Sequence, residues 1–164
     1  MQRYYWDSCV FIALISNLED EESIEKRNNC TAVLSQAMDG SVQILTSTVS
    51  LTEVITAEGF RKKKTPDKIK DKLRDLFREP YITLINCDLL RAEEARELIW
   101  NHKITALDAI HVASAVYAKV QAMHTYDGLS QKKRSGILSL DGKIGDPPLK
   151  IVTPNYGGMN PLIP

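Results

Sequence analysis

Residues 3–14 read RYYWDSCVFIAL. The first four are aromatic-rich, a composition that suits a strand. Asp7-Ser8 then opens a helical pattern carried by Val10, Phe11 and Leu14. The rest of the chain repeats this handover from strand to helix. Strands are expected over 3–6, 42–46, 81–87, 122–126 and 149–152. Helices are expected from residue 7 to 14, 19–38, 50–60, 65–78, 89–100 and 105–120. Asp39-Gly40-Ser41 stops the second helix, Pro66 sits in the first turn of the fourth, and 105–120 is apolar almost all round. Alternation of this kind marks an α/β fold of three layers, α/β/α, with a central, mostly parallel sheet of about five strands.

At 164 residues, with 43% apolar and 26% charged residues, the chain is the size of one domain with an ordinary soluble composition. We assign that domain to residues 1–154 and read 155–164 as a tail rich in proline and glycine. The formal net charge is zero, so bulk electrostatics do not advertise a nucleic-acid partner. Cys9, Cys30 and Cys87 form no CxxC pair and no zinc spacing, and are expected as buried thiols in a reducing cytosol. No stretch approaches the ~20 apolar residues that span a bilayer. Asp7 interrupts the place where a signal peptide would need its apolar core. The expected location is the cytoplasm, with no membrane partner.

Four acids fall at the end of a strand or in the first turn of the helix after it: Asp7, Glu53, Asp108 and Asp127. Each has a plain local reading. Asp7 would make a helix N-cap, Ser50-Leu51-Thr52-Glu53 fits a capping box, Thr105 to Asp108 resembles the same device, and Asp127-Gly128 would make a turn. Their joint placement points further. In an open α/β fold all four reach one edge of the sheet, where such folds bind ligands. Crowded carboxylates repel unless a cation stands between them, and a hard divalent ion such as Mg²⁺ or Mn²⁺ suits oxygen donors.

These residues resemble a known family. Tyr5-Trp6-Asp7-Ser8, Glu53, Leu107-Asp108-Ala109-Ile110-His111-Val112-Ala113 and Thr125-Tyr126-Asp127, in that order, look like the PIN domain, the fold of VapC-type toxin ribonucleases. The resemblance implies that Asp7, Glu53, Asp108 and Asp127 are catalytic and ligate one or two Mg²⁺ or Mn²⁺ ions. It implies hydrolysis of RNA phosphodiester bonds, an antitoxin protein as partner, and the capacity to form a homodimer. In one respect the chain departs from the pattern: many members carry a further acid beside the last one, where Tyr126 and Leu129 stand here.

Ser8 and Thr125 adjoin two of the acids and are candidates to touch a phosphate, although a cap and a strand hydroxyl explain them as well. Lys132 and Lys133 follow Asp127 closely and are candidate RNA contacts; the cluster Arg61 to Lys64 reads as a solvated helix end. His111, three residues after Asp108, reads as a satisfied core residue, and His102 and His124 as isolated. Three rival readings exist. A haloacid-dehalogenase-type phosphatase would need an acid at position 9, which is Cys9. A phosphoacceptor receiver domain would need an acidic pair that is missing. A non-catalytic PIN-type module binding RNA or protein need not keep Asp7, Glu53 and Asp108. A housekeeping RNA-processing nuclease is the alternative to a toxin.

Overall fold

The computed structural model describes residues 1–55, 65–128, 130–131 and 134–155. The Arg61 to Lys64 cluster, the second half of the helix expected over 50–60, Leu129, Lys132, Lys133 and the tail beyond residue 155 lie outside the described residues.

The centre of the molecule is β1 (Gln2–Trp6), joined on one side to β2 (Val42–Ser47) and on the other to β4 (Ala122–His124). Beyond these lie β3 (Ile82–Ile85) and β7 (Ile151–Val152), giving the all-parallel order β3-β2-β1-β4-β7. The register places Tyr5 against Leu45 and Met123, and Trp6 against His124. The chain first steps from β1 toward β2 and β3, then crosses to β4. The order therefore reverses between β1 and β4, and the crevice at their carboxyl ends is where an open α/β sheet receives ligands.

Side chains alternate across a strand, so β1 feeds two cores. Tyr5 points into a cluster with Leu45, Val112, Ala115, Met123 and Ile137, beneath α5 (Leu89–His102) and α6 (Ala106–Ala118). Trp6 points the other way, into a cluster with Phe11, Cys30, Val33, Ile44 and Phe77, under α1 (Ser8–Leu14), α2 (Glu21–Met38) and α4 (Asp67–Leu76). Trp6 meets Phe11 edge-on with centroids 5.1 Å apart, and Phe11 lies 5.0 Å from Phe77. Such pairs add about 0.5–1.5 kcal/mol each beyond simple burial. These are the three layers expected from the sequence.

Capping explains most helix ends. Asp20 caps α2 by accepting from Ser23 N at 3.0 Å, and Asp88 caps α5 through Arg91 N at 2.9 Å. Thr105 caps α6 through Asp108 N at 3.3 Å, and Gly40, with φ of 82°, follows the end of α2. Several sequence expectations change. The helix expected from residue 50 is a single turn in its described part, α3 (Ser50–Glu53), after which Val54 leaves helical geometry. A two-stranded ribbon, β5 (Ser130–Gln131) and β6 (Arg134–Ser135), and a 3-10 turn over Ile137–Leu140 were not anticipated. Leu89, the first residue of α5, is exposed. Arg91 is buried instead, its guanidinium 3.7 Å from the Tyr117 ring centre and 2.9 Å from Glu94. An arginine can bury its stem where its head is paired. Of the cysteines, only Cys30 is fully buried. Among the described residues no helix is long and apolar enough to cross a membrane.

His124 is buried on β4 beside Tyr4, and its Nδ1 has no hydrogen-bond partner among the described residues. Burial pushes its pKa down to about 4. Below the ordinary value of about 6.5 the unfolded chain binds a proton that the folded chain refuses. The stability conferred by a neutral His124 is thus complete above pH 6.5 and is lost as the pH falls toward 4, by up to about 3 kcal/mol at 1.4 kcal/mol per unit. Urea unfolding at pH 7 and pH 4.5 should register this loss. His124→Phe should lose less over the same interval; equal losses would remove His124 as the cause.

Candidate active site

Asp7 follows the last residue of β1 and caps α1, so its position is fixed by the backbone on both sides. It is 5% exposed. Its N–H donates to His124 O at 3.1 Å, tying it to β4. Its Oδ1 accepts from Ser8 N at 2.7 Å, and its Oδ2 from the Thr125 hydroxyl at 2.8 Å and the Cys9 thiol at 3.0 Å. A buried carboxylate is tolerated only when donors surround it, and here they come from α1 and from the end of β4. The helix cap inferred from the sequence is therefore present, and the same residue lies at the switch point of the sheet.

Glu53 closes the single turn α3, which follows β2. Its Oε2 accepts from the Ser8 hydroxyl at 2.6 Å and lies 2.7 Å from His111 Nε2. The capping box is not formed: Val49 occupies the cap position of α3, with no side-chain cap bond. Ser50 turns inward instead, 2.6 Å from Thr46 Oγ1, and Thr46 donates to Trp6 O at 2.8 Å. Each hydroxyl has one hydrogen. Thr46 gives its hydrogen to the strand, Ser50 gives its own to Thr46, and Ser8 gives its own to Glu53.

His111 joins these residues. It is 1% exposed, on the buried face of α6. Its Nε2 is 2.7 Å from Glu53, 3.1 Å from Ser8 Oγ and 3.5 Å from Asp7 Oδ1, and its Nδ1 is 2.7 Å from the Tyr5 hydroxyl. Burial alone would lower its pKa. The Glu53 hydrogen bond and the charges of Asp7, Glu53 and Asp108 outweigh burial and hold it above the ordinary histidine value. Glu53 moves in the matching direction: burial would raise it, but the hydrogen bonds from His111 and Ser8 hold it below the ordinary carboxylate value. The satisfied core histidine expected from the sequence is satisfied by site residues. The signal was the three-residue offset from Asp108, which puts both on one helical face.

The four acids are not equally gathered. Asp7 and Glu53 meet around one atom, His111 Nε2. Asp108 is half-buried in the first turn of α6, and its charge is felt at His111. Asp127 is half-buried beyond β4, and its N–H bonds to Thr125 Oγ1 at 2.9 Å, one step from Asp7. Its Oδ2, however, accepts from Ile137 N at 2.8 Å, closing the segment that carries the ribbon. Among the described residues no group of three or more His, Cys, Asp or Glu side chains is placed to hold one ion. The oxygen donors of Asp7 and Glu53 suit a hard divalent cation chemically. Of the proposed RNA contacts, Ser8 and Thr125 lie inside this network rather than acting only as cap and strand hydroxyls.

The chain is similar to known proteins. A family model described as PIN domain matches residues 4–133, well over half of the chain. No curated protein matches. Among solved structures, VapC20 of Mycobacterium tuberculosis, a Sarcin-Ricin loop cleaving toxin, is similar with a TM-score of 0.57 at 17% identity, over 76% of this chain and 90% of that one. A toxin-antitoxin complex from Klebsiella pneumoniae is similar with a TM-score of 0.54 at 20% identity, over 93% and 98%. VapBC2 from Rickettsia felis, bound to a DNA fragment from their promoter, gives 0.51 at 17% identity, over 76% and 87%. At these identities the likeness is one of fold.

Gly136 closes the base of the ribbon. A Cβ there would stand 1.6 Å from Gly128 O and 3.4 Å from Asp127 Oδ2. The backbone oxygen cannot yield as a side chain would, so Gly136→Ala should cost at least the 1–3 kcal/mol typical of overpacking and loosen the Asp127–Ile137 bond. Thermal unfolding is the check; an unchanged melting temperature would show that the segment repacks freely.

Proposed function

The chain belongs to the PIN domain family, and from that premise we propose that it is a divalent-metal-dependent endoribonuclease, the toxin of a toxin–antitoxin pair. The observation that carries this reading is the meeting of Asp7, at the end of β1, and Glu53, at the end of the turn after β2, around one buried point at the switch of the sheet. The similar structures support it: one is a toxin that cleaves the Sarcin-Ricin loop, and another is a toxin-antitoxin complex.

Asp7 and Glu53 would hold Mg²⁺ or Mn²⁺, with Asp108 and Asp127 completing the acidic set. When bound, such an ion supplies a water of lowered pKa and a Lewis acid for the phosphoryl oxygens. The chain's own contribution is to fix the carboxylates. Thr125, Cys9 and the Ser8 amide hold Asp7 at both oxygens, and Ser8 and His111 hold Glu53. Groups preset in this way need little rearrangement when charge develops. The RNA would bring its phosphate to the carboxyl ends of β1 and β4, with Lys132 and Lys133 as further contacts. The protein partner would be an antitoxin, the location the cytoplasm, and a homodimer is compatible with the fold.

One observation favours a second reading, a PIN-type module that binds without cutting. Asp7 and Glu53 close on His111, and among the described residues no group of three or more His, Cys, Asp or Glu side chains is placed to hold a metal ion. Activity separates the two readings. Purified protein with Mn²⁺ should cut single-stranded or structured RNA, and Asp7→Asn or Asp108→Asn should lower the rate at least tenfold, the scale reached even by changes one layer outside a metal's ligands. Cutting that persists in chelator would sink the metal-dependent reading, and no cutting by the wild type would leave the binding module.

Metal linkage gives an independent check without RNA. Mn²⁺ at about 100 times its Kd would stabilise the fold by about 2.7 kcal/mol. Differential scanning fluorimetry should show a rise in Tm with millimolar Mn²⁺, smaller in Asp108→Asn. No shift in the wild type would count against a carboxylate site.

A further inference from the structure

We propose that His111 is the positioning residue of this site: its imidazole, clamped to the sheet through Tyr5, sets the Glu53 carboxylate beside Asp7 so that the pair is ready to bind a cation. The inference rests on the reading under Proposed function, and it assigns to a residue outside the acidic set the task of ordering that set.

Around His111 on α6, Ala109, Val112, Ala113 and Ala115 are buried and apolar, and the hydroxyl of buried Ser114 is spent on Ile110 O. An apolar side chain would fill the same space more cheaply, because a buried polar ring is stable only when its nitrogens are used. Both are used. On one side, Nδ1 is 2.7 Å from the Tyr5 hydroxyl, which also accepts from Ser47 N at 2.9 Å. The Tyr5 ring stands edge-on to the imidazole, with centroids 5.8 Å apart at 70°. The imidazole is thus fixed by β1 and β2. On the other side, Nε2 faces the point where Glu53, Ser8 and Asp7 meet.

Glu53 needs this support more than Asp7 does. Asp7 has a short side chain and donors at both oxygens. Glu53 has a longer side chain on a four-residue turn that ends at the next residue. Beyond Ser8, His111 is the donor that selects one of its rotamers, and freezing a glutamate costs side-chain entropy. With the ring in place that ordering is complete before any ligand arrives. Residues that orient a metal's ligands in this way typically change its affinity 10- to 100-fold when removed.

The test is Mn²⁺ titration calorimetry on the whole protein without RNA, together with RNA cleavage as a function of Mn²⁺ concentration. His111→Leu should raise the Kd for Mn²⁺ 10- to 100-fold and move the half-maximal Mn²⁺ for cleavage upward by the same factor. His111→Gln keeps an N–H able to reach Glu53 and should recover part of the loss. Tyr5→Phe, which releases the ring from the sheet, should shift both values severalfold in the same direction. If His111→Leu does not fold, His111→Gln and Tyr5→Phe carry the comparison. A histidine that merely fills the core would lower Tm and leave the Kd alone, so folded variants that bind Mn²⁺ within twofold of wild type overturn the proposal. A wild type that neither binds Mn²⁺ nor cuts RNA overturns the nuclease reading and takes this inference with it. A competent wild type with unmoved variants overturns this inference only.

Discussion

A carboxylate buried at the end of the central strand must be surrounded by donors, and the arrangement around Asp7 meets that demand. The Ser8 amide, the Thr125 hydroxyl and the Cys9 thiol reach its two oxygens, and its own N–H binds β4 through His124 O. One side chain therefore joins β1, α1 and the end of β4. The site inherits its position from this bond pattern, because β1 and β4 are the strands between which the sheet reverses its order. Removing any one donor would leave a buried acceptor short, a cost of about 1–3 kcal/mol. Fold stability and site geometry share these atoms.

The layered architecture was legible because it depends on short-range pattern. Aromatic and β-branched runs alternate with apolar stripes at helical spacing, and tertiary contact only confirms what those runs prefer. The places of the acids were legible for the same reason, since each follows a strand or opens a helix. Their partners were not. Ser50 to Glu53 has the letters of a capping box, yet Ser50 bonds Thr46 and Glu53 bonds Ser8 and His111. The local motif gives way to long-range contacts: Glu53 is held by the His111 imidazole and the Ser8 hydroxyl, 58 and 45 residues away in the chain. Asp127 shows the same limit: its place after β4 follows from the sequence, whereas its bond to Ile137 N depends on a ribbon with strands two residues long.

His111 marks the boundary between the two kinds of information. Its offset from Asp108 is visible along one helix. Its contacts with Tyr5 and Glu53 span 106 and 58 residues, and no periodicity encodes them. The ring lies 1% exposed among alanines and valines, so sequence alone files it with the core. Only the meeting of three elements around its Nε2 reveals that it faces polar groups on both sides.

The margins of the sheet carry a separate consequence. The outermost strands are β3, four residues long, and β7, two residues long. Exposed strand borders offer unpaired amides and carbonyls to a second molecule, and borders this brief give an incoming chain little to zip onto. The short borders of the five-stranded layer thus leave little room for edge-to-edge pairing with another molecule.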